Sequence, residues 1–171
     1  MSWLPKLVLT DIDGVWTDGG MYYDQTGNEF KKFTTSDSAG VLFLRQLNIE
    51  TGIITGENTE IVARRAAKLK ISILHQGISN KLACAQQICA ERGISLNDVA
   101  YIGDDIGDVQ LLNAVGFSSA PLNAQLYIRN KVHYVTQLKG GEGAFRDFAE
   151  TILQRAGKLD EVINQLTGAG R

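Results

Sequence analysis

Four short apolar runs, residues 7–10, 52–55, 71–74 and 99–102, end in small, polar or acidic residues and are separated by helical patterns. The helical stretches, 38–47, 59–69, 80–92 and 108–115, carry apolar residues at spacings of three and four. Strands that alternate with amphipathic helices predict a parallel sheet covered on both faces. Thr59 and Asn80 are natural N-caps, and Gly93 is a natural helix stop. In such sheets ligands collect at the carboxyl ends of the strands, so the residues that close each run become the candidates for chemistry.

After the first run, Met21-Tyr22-Tyr23 and Glu29-Phe30-Lys31 flank Asp24-Gln25-Thr26-Gly27-Asn28, a pattern that predicts a β-hairpin with Gly27 and Asn28 in its turn. The expected fold class is therefore α/β: a Rossmann-like parallel sheet with helices on both faces, plus a β-hairpin after the first strand. The last third offers short strands at 117–120 and 132–135, then Gly140-Gly141-Glu142-Gly143 opening a helix over 144–156. Residues 159–171 form a weakly amphipathic tail, expected to be mobile. A length of 171 residues, 44% hydrophobic and 21% charged, suits one domain over 1–171 and excludes a second full one.

With 17 Lys+Arg against 19 Asp+Glu, the net charge of −2 provides no basic field for a nucleic-acid backbone, so nucleic acid is not an expected partner. The apolar-leaning stretch before Asp11 is too short for a secretory segment or a membrane span, which predicts a cytoplasmic protein with no membrane partner. Cys84 and Cys89 match neither a CxxC pair nor a zinc spacing and are expected to be reduced thiols that fill the core.

The first run ends Thr10-Asp11-Ile12-Asp13-Gly14-Val15. Strand side chains alternate, so Asp11 and Asp13 project the same way from the tip, close enough to share one cation or one substrate atom. Two carboxylates that close repel unless a cation or a shared proton relieves them, and Mg²⁺ prefers ionised oxygen ligands. A solvated acidic turn is the ordinary alternative for this segment alone. Further along come Thr55-Gly56 at the second strand end, Lys81 at a helix start, and Gly103-Asp104-Asp105-Ile106-Gly107-Asp108 after the fourth strand. A phosphate under attack needs a nucleophile, a cation that lets it approach carboxylates, and hydroxyl and ammonium donors for its developing charge. Alone, Lys81 would be a solvated helix residue and Thr55 a helix-entry residue. Their order, each at a strand end or helix start, points to phosphoryl chemistry.

The series DxDG, Thr-Gly, Lys and GDDxxD, from Asp11 to Asp108, resembles the four motifs of the haloacid dehalogenase superfamily of aspartyl-phosphate phosphatases. The resemblance implies that Asp11 is the nucleophile and Asp13 the general acid/base. It also implies that Thr55 and Lys81 hold the phosphoryl oxygens, and that Asp104 binds Mg²⁺ beside Asp11 and the Asp13 carbonyl, supported by Asp105 and Asp108. Larger members shield the site with a cap domain. Here residues 14–54 hold only a hairpin, a helix and a strand, and residues 57–80 one helix and one strand, so no cap is expected and a neighbouring subunit is the economical cover.

Over residues 7 to about 158 the chain resembles the capless 3-deoxy-D-manno-octulosonate 8-phosphate phosphatase family, with its nonulosonate 9-phosphate relatives. That resemblance rests on residues 9–15, the hairpin, Gln76-Gly77 before Lys81, residues 99–105 and residues 140–146. It implies hydrolysis of the terminal phosphate of a 3-deoxy-ulosonic acid phosphate, either the eight-carbon octulosonate or, as the alternative, a nine-carbon nonulosonate. It also implies a place in lipopolysaccharide biosynthesis and a homotetramer whose hairpins pack around a central axis. Glu57 stands where the eight-carbon enzymes usually place Arg, and with Lys68 it looks more like the nine-carbon branch. Glu57 could accept hydrogen bonds from sugar hydroxyls, or it is simply a favourable first-turn carboxylate. Arg146 is expected to contact a neighbouring subunit's anionic substrate, carried by a flexible Gly140, Gly141 and Gly143 segment. A salt bridge to Glu142 or Glu150 is the rival. His75 and His133 lack partners at ligand spacing and are expected to be structural.

Two rival classes bear on this reading. A non-catalytic regulatory module would be expected to have lost one of Asp11, Asp13, Lys81 or Asp104. Among enzymes, a dehalogenase does not need Asp13, and a phosphomutase usually carries a cap to exclude water.

Overall fold

A computed structural model describes residues 3–168. Strand β1 (Leu7–Thr10) is buried at every position, as a central parallel strand is when helices cover both its faces. The chain continues through the hairpin β2 (Tyr22–Tyr23) and β3 (Glu29–Phe30), then α1 (Ser36–Gln46), β4 (Glu50–Ile54), α2 (Glu60–Lys68), β5 (Ile73–His75) and α3 (Lys81–Arg92). The second half adds β6 (Val99–Ile102), α4 (Val109–Leu112), β7 (Phe117–Ala120), α5 (Leu126–Arg129), β8 (Tyr134–Val135), α6 (Ala144–Arg155) and α7 (Leu159–Thr167). The main sheet runs β5-β4-β1-β6-β7-β8, with every neighbouring pair parallel. Strand order reverses at β1, which lies between β4 and β6, so the carboxyl ends of β1 and β6 flank the crevice where such sheets bind ligands.

Alternation along the strands divides the core. Val8, Ala100 and Ile102 face one layer with Val41, Leu44, Phe145 and Phe148, while Leu7, Leu9, Val99 and Tyr101 face the other with Ala85, Ile88 and Leu111. The first layer belongs to α1 and α6, the second to α3 and α4. The caps lie where expected: the Thr59 hydroxyl accepts the Val62 N–H at 3.4 Å, Asn80 Oδ1 accepts the Ala83 N–H at 3.0 Å, and Gly93 ends α3 at φ 64°.

Boundaries shift for identifiable reasons. The third strand begins at Ile73 rather than Ile71, because the Ile71 N–H turns back to the Ala66 carbonyl and closes the end of α2. The helix expected over 108–115 is split into a 3-10 turn over Ile106–Asp108 and the short α4. The strand expected over 132–135 shortens to β8, and α5 was not anticipated. Residues 159–167 of the expected tail form α7, with Val162 fully buried in the layer of α1 and α6; the tail's end at 169–171 lies outside the described residues. No described helix is long and apolar enough to cross a membrane.

Candidate active site

At the end of β1 the Asp11 N–H still donates to the Ile102 carbonyl of β6 at 3.0 Å, so the sheet itself sets its backbone. The chain then doubles back, with the Val15, Trp16 and Thr17 N–H groups all donating to the Ile12 carbonyl. Trp16, fully buried, locks this loop by donating from Nε1 to the Thr10 hydroxyl at 2.9 Å. Gly14 sits at φ +81° with Asp104 Oδ2 only 1.9 Å from where a Cβ would stand, so a side chain here would displace the Asp104 carboxylate.

Asp11 Oδ1 accepts the Ile12 N–H at 2.8 Å, and its Oδ2 lies 2.8 Å from Lys81 Nζ. Lys81, the first residue of α3, also donates to Asp108 Oδ1 at 2.6 Å. Asp108 is fully buried and anchors the whole corner: it accepts the Tyr101 hydroxyl at 2.6 Å and the Asp104 and Asp105 N–H groups at 3.0 Å each. Burial works against the Lys81 ammonium, but the Asp11 and Asp108 carboxylates prevail and hold its pKa above the ordinary lysine value.

Asp11, Asp104 and Asp108 bring carboxylate oxygens within 4.8 Å of one another. One ammonium does not balance three carboxylates. Burial, with Asp108 adding repulsion, pushes the Asp11 pKa up to about 7 despite Lys81. Burial together with Asp11, Asp108 and Asp105 pushes Asp104 up to about 8. Asp104 Oδ1 is buried with no hydrogen-bond partner among the described residues. A hard divalent cation fits this donor set, because it would supply the missing positive charge and a partner for that oxygen.

A cavity of about 440 Å³ opens at these strand ends, lined by Asp11, Asp13, Thr55, Gly56, Glu57, Lys81, Asp104, Asp105 and Asp108 among others. The structure thus gathers around one space every sequence-nominated site residue except Arg146. The Asp13 carboxylate does not join the acidic cluster; Lys31 Nζ contacts its Oδ1 at 2.7 Å and Glu57 Oε2 at 2.7 Å. Glu57 is therefore an ion-pair partner in this chain, as well as a rim residue. Arg146 faces a separate recess with Ser36, Gln137 and Glu150, and its Nε donates to Glu150 Oε1 at 2.7 Å, an ion pair within its own helix.

The glycine segment before Arg146 departs from its expected role. Gly140, Gly141 and Gly143 are buried, and a Cβ at Gly140 would stand 1.8 Å from the Gly14 carbonyl oxygen. These glycines are needed for close approach to the loop after β1, and the segment is a buttress rather than a flexible arm.

Three residues at the site escaped sequence reasoning. Lys31 could have been found from the alternation Glu29-Phe30-Lys31, which turns Phe30 outward and Lys31 inward. Tyr101 could have been found because a tyrosine in an otherwise apolar strand needs a buried partner for its hydroxyl. Ser79 lines the cavity, and no pattern in the sequence marked it.

A doubly wound sheet with an acidic cluster and a lysine at its switch point is the arrangement of the haloacid dehalogenase-like hydrolases, and residues 24–145 match that family. The chain is 37% identical over 153 residues to the 3-deoxy-D-manno-octulosonate 8-phosphate phosphatase of Haemophilus influenzae, covering 90% of this chain and 85% of that one. It is 38% identical over 160 residues to the Escherichia coli K12 protein of the same name, covering 94% and 85%. The crystal structure of the Moraxella catarrhalis 3-deoxy-D-manno-octulosonate 8-phosphate phosphatase, in complex with magnesium ion, phosphate ion and KDO molecule, matches with a TM-score of 0.91. That match is 36% identical and spans 95% of this chain and 93% of that one. The chain belongs to the haloacid dehalogenase-like hydrolases and, within them, to the 3-deoxy-D-manno-octulosonate 8-phosphate phosphatase family. It is an enzyme, a phosphoric monoester hydrolase.

Proposed function

We propose that this chain is a magnesium-dependent phosphatase that hydrolyses the terminal phosphate of 3-deoxy-D-manno-octulosonate 8-phosphate through an aspartyl-phosphate on Asp11. The observation that carries the reading is Lys81 held between Asp11 at 2.8 Å and Asp108 at 2.6 Å, beside an Asp104 oxygen with no partner among the described residues. Asp11, Asp104 and the Asp13 carbonyl would hold the metal, with Asp105 and Asp108 in support. Bound there, Mg²⁺ supplies the positive charge that lets an anionic phosphate approach carboxylates.

Asp11 Oδ attacks phosphorus while the bond to the sugar oxygen breaks, and Asp13 gives its proton to that leaving oxygen. Asp13, now a carboxylate, takes a proton from water as the water oxygen attacks phosphorus. The Asp11–phosphorus bond breaks, and phosphate leaves with Asp11 and a protonated Asp13 restored. Thr55 and Lys81 steady the phosphoryl oxygens through both steps.

The enzyme is read as a single capless domain acting in the cytoplasm in lipopolysaccharide biosynthesis, as a homo-oligomer, most economically a tetramer. Arg146 is read as exchanging its Glu150 ion pair for a neighbouring subunit's substrate, from a helix start held by a rigid rather than a flexible glycine segment. A nine-carbon nonulosonate 9-phosphate is the second reading, favoured by Glu57 directly after Thr55-Gly56 at the cavity rim.

The test compares kcat/KM for the two sugar-acid phosphates with Mg²⁺, with excess chelator, and for Asp11→Asn. Preference for the eight-carbon ester, loss of activity in chelator, and a fall of roughly 10⁴ or more in Asp11→Asn are expected. Undiminished turnover in Asp11→Asn overturns the mechanism, and preference for the nine-carbon ester establishes the second reading instead.

A further inference from the structure

Lys31 has no role in the chemistry above, yet its side chain is only 1% exposed and sits between two carboxylates. Its Nζ donates to Asp13 Oδ1 and to Glu57 Oε2 at 2.7 Å each and lies 3.7 Å from Glu29 Oε1. The same Asp13 oxygen also accepts the Thr17 hydroxyl at 3.3 Å. The other, Asp13 Oδ2, is buried with no hydrogen-bond partner among the described residues. One oxygen of the carboxyl is therefore tied down while the other carries no partner among the described residues, in a side chain that lines the cavity. Burying a long cationic side chain needs compensation by charge pairing, and ordering it removes much rotamer freedom, so a lysine in this position requires a specific reason.

We propose that Lys31 is a positioning residue for the general acid/base, holding Asp13 by Oδ1 so that Oδ2 alone handles the proton, with Glu57 as the brace that keeps Lys31 in place. The proposal rests on the reading of Asp13 as the group that protonates the leaving oxygen. Each part of the arrangement has a source in the fold. Asp13 is fixed by the loop that returns after β1. Glu57 lies at the entry to α2, where its carbonyl accepts the Gly77 N–H at 3.2 Å. Lys31 follows β3 directly, and alternation turns its head inward while Phe30, 56% exposed, points out. The hairpin is thereby joined to the proton-transfer group by one side chain. Without Lys31, the Asp13 carboxyl can rotate, and its distance to the leaving oxygen is no longer set.

The prediction separates positioning from a purely structural role through the leaving group. A p-nitrophenolate leaves readily without a proton, whereas a phenolate benefits from one, and neither ester offers sugar hydroxyls or a carboxylate to bind. In Lys31→Met, kcat/KM for phenyl phosphate should fall about tenfold or more further than kcat/KM for p-nitrophenyl phosphate, a modest share of what general acid catalysis supplies. Lys31→Arg should restore part of that difference. Glu57→Gln, a change at a partly exposed side chain that tests the brace without disturbing the core, should show the same selectivity to a smaller degree. It keeps the proposal testable if Lys31→Met fails to fold by circular dichroism. Asp13→Asn serves as the reference and should show the largest selectivity. If Asp13→Asn discriminates between the esters while Lys31→Met and Glu57→Gln lower both equally, the positioning role is wrong and the reading of Asp13 stands. If Asp13→Asn itself does not discriminate, the acid reading fails and takes the proposal with it.

Discussion

Asp37 is fully buried in the first turn of α1, where its Oδ1 accepts the Arg146 N–H at 3.0 Å and its Oδ2 has no partner among the described residues. Burial pushes its pKa up to about 6, against the pull of the Arg146 and Phe145 N–H groups and the Arg65 charge. The native state therefore binds this proton more tightly than the unfolded chain does. By linkage, the stabilisation it contributes is fully present below the ordinary aspartate pKa of 3.8 and is lost as pH rises through about 6. Asp37→Asn keeps the acceptor for the Arg146 N–H but cannot titrate. The stability difference between wild type and Asp37→Asn should move by about 2 kcal/mol against the wild type between pH 4 and pH 7.5, a shift of that size following from roughly 1.4 kcal/mol per pKa unit. Urea unfolding at the two pH values measures it, and a difference that does not change with pH would show that Asp37 titrates normally. Buried Asp108, by comparison, has both oxygens hydrogen-bonded, to Lys81, Tyr101 and two backbone N–H groups.

The segment between β8 and α6 supports the loop after β1 through backbone contact. The Gly141 N–H donates to the Val15 carbonyl at 3.1 Å, the Gly140 N–H donates to Asn123 Oδ1 at 2.8 Å, and no space for a Cβ exists between Gly140 and Gly14. Gly140→Ala should therefore force the Asp11 to Asp18 loop out of place, costing about 2 kcal/mol or more as overpacking does. The melting temperature should fall by roughly 5 °C, with a large loss of turnover. Gly157→Ala, at φ +67° with nothing within 4 Å, is the control: it strains only the backbone by about 1 kcal/mol and should leave turnover intact. Equal effects from the two substitutions would show that the buttress does not set the loop.

The hairpin leaves Tyr22, Tyr23 and Phe30 at 43%, 65% and 56% exposure, beside Met21 at 48%. Large apolar groups this exposed and clustered on one short element are expected to be covered by assembly. Light scattering of the wild-type protein at micromolar concentration should report a multiple of the 18.7 kDa chain, and the double substitution Tyr23→Ser with Phe30→Ser should reduce that mass. A wild-type monomer with full activity would exclude assembly as the means of closing the site.

The strand and helix series and the line of Asp11, Asp13, Thr55, Lys81 and Asp104 were legible in the sequence because period, caps and strand ends are local properties. Residues at the carboxyl ends of parallel strands converge whatever the packing details. Element limits that depend on a neighbour were not legible, such as β5 beginning at Ile73 once Ile71 is used to close α2. Only the tertiary structure decided that the Asp13 carboxylate pairs with Lys31 and stands apart from Asp11, Asp104 and Asp108. Only it decided that the late glycines brace the loop after β1, because a contact between residues far apart in the chain leaves no periodic trace along it. The sequence alone therefore determined that Asp11, Asp13, Thr55, Lys81 and Asp104 meet at the crevice, and packing at distances of a few ångströms added Lys31, Tyr101 and Ser79, set Arg146 apart and determined which groups touch.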